Sequence, residues 1–136
     1  MLTRDSLVKR QTVFDLTCVF CSKLESCYHL FFGCVVAEEF WKSITRLTGF
    51  TGDINMMSFS DCWSRGDSFA AINIIHAAGL WAIWNLRNDM VFNRTTWSGL
   101  QAIWRKTAVS LTLWEMLSSD RVKLHLQKVA QELEQL

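Results

Sequence analysis

Val36, Phe40, Ile44 and Leu47 recur at spacings of four and three, which is the period of one helix face. The pattern predicts a helix over 35–47, stopped by Gly49. Upstream, Asp5 is placed to cap a short helix to about Arg10, with Leu2 and Leu7 as its apolar contacts. Residues 11–24 read as irregular. A helix then begins near Glu25 or Ser26 and covers His29 to Phe32, and Gly33 loosens the backbone after it. Residues 49–66 concentrate Gly, Ser, Asn and Asp and form the expected main loop, with a turn of helix near Phe59 to Trp63. Asp67 is the expected N-cap of a long helix to about Phe92, apolar nearly all round and therefore central. Thr96 is the next expected N-cap, ahead of a helix with Leu100, Ile103, Trp104, Thr107, Ala108, Leu111 and Trp114 on one face. Ser118 to Asp120 kinks or restarts it.

The tail then places Val122, Leu126, Val129, Leu133 and Leu136 at alternating four and three spacings. This is a coiled-coil seam of about two heptads, too short to hold as an isolated helix. It packs either on the chain's own bundle or, through residues 120–136, on a protein partner or a second copy. The predicted fold class is mainly α. Residues 1–48 hold the first helices, 49–66 the loop and 67–136 a helical region that forms one domain with 1–48.

Composition agrees with that reading. Half of the 136 residues are hydrophobic, Pro is absent and Gly occurs six times, so helices run without breakers. The stretch from Ser68 to Leu86 lacks any charged side chain and is long enough to span a bilayer, but Asn73, His76 and Asn85 interrupt it. A buried core helix is expected there, and no membrane partner. Fourteen Lys and Arg against thirteen Asp and Glu leave a formal charge of +1, without the basic excess of a dedicated duplex-DNA binder. Met1 to Arg10 is charged, unlike a secretory leader, and the cysteine count is odd at five. Both point to a reducing compartment, nucleus or cytoplasm, where clustered cysteines read as metal ligands.

The chemistry concentrates between Cys18 and Cys34, which read C-x2-C-x7-H-x4-C through Cys18, Cys21, His29 and Cys34. Zinc takes four soft or borderline ligands in a tetrahedron, and three Cys with one His is a standard structural set. The predicted architecture is thus an N-terminal zinc knuckle packed on a small helical bundle with a long C-terminal helix. One structural Zn2+ is expected, with no coordination position left for water. Cys27, two residues from His29, is the alternative third ligand, and burial of all four residues as plain core is the bland alternative. Cys62 reads as packing, His76 as a core histidine bonded to a backbone group, and His125 as a solvated surface residue.

These residues resemble the zinc-binding domain that follows the reverse transcriptase in plant non-LTR (LINE-type) retrotransposons. The resemblance rests on the lead-in Leu2-Thr3-Arg4-Asp5-Ser6-Leu7-Val8-Lys9-Arg10, the Cys18 and Cys21 pair, and Glu25-Ser26 before His29-Leu30-Phe31-Phe32-Gly33-Cys34. It continues through Phe40-Trp41 and the run Trp81-Ala82-Ile83-Trp84-Asn85-Leu86-Arg87-Asn88-Asp89-Met90-Val91-Phe92. The family's usual prolines in the lead-in and after the last cysteine are missing, and Val35 stands at the second of them. The resemblance implies a module carried between polymerase and nuclease parts that helps hold template RNA or DNA. No Tyr-x-Asp-Asp polymerase motif, nuclease carboxylate set or phosphate-cradling Gly-rich loop stands in the sequence, so no enzyme is expected. Candidate contacts to RNA or single-stranded DNA are Arg4, Lys9, Arg10 and Lys23, with Phe20 or Tyr28 to stack on a base. The alternative is a protein-interaction or regulatory module derived from a retroelement, acting through its helices.

Overall fold

The computed structural model describes Thr3 and residues 17–136. The expected helix from Asp5 to Arg10 lies outside the described residues. A π-helical turn, His29–Gly33, leads into helix α1, Val35–Thr48, which ends where Gly49 takes the left-handed conformation at φ 70°. Helix α2, Met56–Ser64, follows. Its N-cap Asn55 accepts a hydrogen bond from the Ser58 N–H at 2.9 Å. The single turn expected near Phe59 to Trp63 is thus a nine-residue helix, and its capping signal was the asparagine.

After a 3-10 turn, Gly66–Phe69, helix α3 runs from Ala70 to Val91. It begins three residues beyond Asp67, because the tighter turn precedes it. Helix α4, Leu100–Trp114, starts after Gly99 at φ 106°, not at Thr96, which is exposed in the coil before it. A glycine at that angle redirects the chain where a side chain would strain it. A 3-10 turn, Glu115–Leu117, breaks the chain at Ser118, and helix α5, Asp120–Glu134, closes the order.

Helix α3 is the axis of the bundle. It packs along α4 and against α2 and α5, while α4 also packs along α5. Its apolar character all round follows from this placement, with Ile75, Ala78, Ala82 and Ile83 fully buried. Two rings of α1 seat on it at Gly79, where the missing side chain leaves them room. A Cβ there would lie 2.8 Å from Trp41 and 2.9 Å from Phe40. Trp41 is held in turn by its indole N–H, which donates to the Phe31 carbonyl at 2.7 Å. The tail seam packs on its own bundle, with Leu126, Val129 and Leu133 buried and Leu136 44% exposed. The longest helix is therefore α3, and the C-terminal region is two helices of 15 residues. No helix among the described residues is long and apolar enough to cross a membrane.

His76 departs from expectation. Among the described residues neither ring nitrogen has a hydrogen-bond partner, so no backbone group receives it. The imidazole sits instead in an aromatic cage, stacked on Phe59 at 3.8 Å and met edge-on by Phe50 and Trp41. Burial without a counter-charge lowers its pKa to about 4. Below pH 6.5 the unfolded chain takes up a proton that the folded chain refuses until about pH 4. Stability present above pH 6.5 is therefore lost as pH falls towards 4, by on the order of 3 kcal/mol. Denaturation of the protein and of His76→Phe at pH 7 and pH 5 isolates this contribution, because protonation of the metal ligands is common to both. The substituted chain is expected to lose less stability, and equal losses would remove the cage effect. His125 is half-buried rather than solvated, and Cys62 is buried packing as expected.

Candidate metal centre

The first half of the centre is a tight loop closed by an antiparallel bridge between Thr17 and Leu24. Cys18 N–H donates to the Lys23 carbonyl at 2.8 Å, which folds Cys18 and Cys21 back on each other. Two backbone donors point at the sulfurs, Phe20 N–H to Cys18 Sγ and Lys23 N–H to Cys21 Sγ, both at 3.5 Å. Such donors fix the orientation of sulfurs that would bind a metal.

The second half comes from the π-helical turn. Its wide i to i+5 bond, Cys34 N–H to the His29 carbonyl at 2.7 Å, makes the chain bulge, a feature frequent at functional sites. The bulge brings His29 and Cys34 to one side. His29 Nε2 lies 3.1 Å from Cys21 Sγ. Cys34 is also the N-cap of α1, so the positive end of a helix faces its sulfur. Its pKa is lowered to about 5, chiefly by the hydrogen bond from Cys18, with the Val36 and Ala37 N–H groups helping against desolvation. Cys18, whose proton is held by Cys34, is raised above the ordinary thiol range. Two thiols sharing one proton is the strain that a dication relieves.

The ligand atoms of Cys18, Cys21, His29 and Cys34 all lie within 4.8 Å of one another. Tetrahedral Zn2+ with thiolates at about 2.3 Å needs ligand separations of about 3.8 Å, so these residues fit the ion with a small inward movement. Cys27 is exposed and stands outside this cluster. Three thiolates and one imidazole supply all four positions, which is a structural centre that fastens two chain segments together.

One further pair anchors the centre to the bundle, and the spacing of residues gave no sign of it. Between the two halves of the metal loop, the Glu25 carboxylate receives two bonds from Arg87 of α3, at 2.8 and 3.3 Å. Both side chains are at most 1% exposed, and the guanidinium also lies over Trp84, 5.1 Å from its ring centre. The signal available was a glutamate in the metal loop and an arginine near the end of a mainly apolar helix, each costly to bury unless paired.

The sequence-derived nucleic-acid contacts divide. Arg4, Lys9 and Arg10 lie outside the described residues. Phe20 is buried edge-on against Trp97 at 5.1 Å and offers no face to a base, because the metal loop packs it inward. Lys23 and Tyr28 are exposed beside the centre.

A helical bundle stapled by a Cys3His set is a structural zinc-binding module. Residues 1–41 match the family model for zinc-binding in reverse transcriptase, a span that takes in all four ligand positions and ends at Trp41. No curated protein and no solved structure matches the chain.

Proposed function

We propose that this chain is a non-catalytic zinc-binding module that holds RNA or single-stranded DNA beside its metal centre. The match of residues 1–41 to zinc-binding in reverse transcriptase carries the reading, since such an enzyme works on nucleic-acid strands. Tyr28, 67% exposed one residue before the ligand His29, presents a ring for base stacking, and exposed Lys23 presents a charge for phosphate. Arg4, Lys9 and Arg10 would add to that charge. Binding of a single-stranded RNA across a salt series tests it. Tyr28→Ala is expected to weaken binding by about tenfold, in line with the energy of one stacked base. Lys23→Gln is expected to reduce the salt slope by about 0.7, one phosphate contact on a single strand. Absence of binding at low salt overturns the reading.

A second reading is a protein-interaction module. It is favoured by Leu113, Met116 and Leu117, which stand 61%, 77% and 90% exposed around the break between α4 and α5. The same salt series separates the two, because a protein-only module retains no RNA.

A further inference from the structure

His29 stands in the first turn of a helical segment over 27–33, where amide groups come too early to find a carbonyl one turn back within the helix. Its own N–H is nevertheless satisfied, because it donates to the Ser26 hydroxyl oxygen at 3.1 Å. The Ser26 carbonyl in turn accepts the Leu30 N–H at 2.9 Å. Ser26 is therefore the N-cap of the segment, with its side chain and its carbonyl both engaged. On the other side, the His29 carbonyl is held by the Cys34 N–H at 2.7 Å. With both backbone groups of His29 fixed, the direction of its side chain is fixed too, and Nε2 lies 3.1 Å from Cys21 Sγ.

Ser26 is itself placed from the bundle. The residue before it, Glu25, is 2% exposed and receives two bonds from Arg87 of α3. The carboxylate thus ties the chain to α3, and the neighbouring hydroxyl carries that placement on to the ligand. A first turn without its cap frays, and fraying here would carry the imidazole away from the sulfurs.

We propose that Ser26 is a positioning residue of the metal centre, its hydroxyl holding the backbone of His29 so that the imidazole faces the three sulfurs before the ion binds. The inference rests on the zinc-binding reading and is independent of the nucleic-acid reading. Apparent affinity scales with the fraction of metal-free chains already in the binding geometry, and the cap raises that fraction.

The test is chelator competition for Zn2+ with the full chain, with helical circular dichroism recorded for each variant. Ser26→Ala is expected to weaken zinc binding by about fivefold, the scale of one lost helix cap, with the helical signal preserved. Ser26→Thr keeps a hydroxyl at the same reach and is expected to bind zinc as the parent does. Ser22→Ala, at an exposed serine of the same loop, is expected to leave the affinity unchanged. Parent-like binding by Ser26→Ala overturns the proposal. So does an equal loss in Ser26→Thr, because the hydroxyl is then not the cause. An equal loss in Ser22→Ala overturns it as well, since any change in the loop would then have the same effect. A parent chain that takes up no zinc overturns the metal centre itself, and this role of Ser26 with it.

Discussion

Cys34→Ser is expected to abolish stoichiometric zinc binding and to remove on the order of 10 kcal/mol of metal-linked folding free energy. The consequences spread because of where Cys34 sits. It is fully buried, it begins α1, and the turn before it places Leu30, Phe31 and Phe32 in the main core. A serine there neither ionises nor binds zinc softly, and the turn loses its closure. Helices α3, α4 and α5 pack on one another independently of that turn, so their helical signal should persist while the amino-terminal third loosens. Cys27→Ser is the control: an exposed thiol outside the ligand cluster should leave about one zinc per chain. Metal analysis of protein purified without added zinc, with chelator competition and thermal melts, measures both. Retention of metal by Cys34→Ser with loss in Cys27→Ser would falsify the ligand set.

Arg87→Met is expected to cost about 3–5 kcal/mol, because it removes both charge-assisted bonds that Arg87 makes to the buried Glu25 carboxylate. Arg87→Met combined with Glu25→Leu removes both charges of the pair and should recover part of that loss, since two apolar side chains tolerate the same interior. The pair spans 62 residues of sequence and ties the metal loop to the central helix. Arg87→Met should therefore also weaken zinc binding in chelator competition, by letting the loop between Cys21 and His29 move. Urea denaturation of the two single variants and the double variant gives the coupling directly. Simple addition of the two single losses would show that the charges do not stabilise one another.

Two of the runs that carry the resemblance are Glu25-Ser26 ahead of His29 and Arg87-Asn88 in the later helix. The Glu25–Arg87 bond gives both runs one physical basis, with Asn88 Oδ1 accepting a further bond from the guanidinium at 2.9 Å. The α1 face was legible to within a position: Phe40 and Ile44 are buried as expected, but Ala37 and Trp41 share the core with them. Helix starts were less legible. Asp67 and Thr96 have the chemistry of caps, yet α3 and α4 begin after a 3-10 turn and a left-handed glycine. Phe20 passed for an exposed stacking ring because nothing near it in sequence announces Trp97.

By itself the sequence determined the helical class, the ends of α1 and the four ligand positions. Periodicity, glycine stops and ligand spacing act within a few residues along the chain, and there the order of residues is the geometry. Tertiary structure alone decided the buried ion pair, the cage around His76 and the seating of the Phe40 and Trp41 rings on Gly79. Each joins segments tens of residues apart, and their meeting depends on how whole helices pack, which no local spacing records.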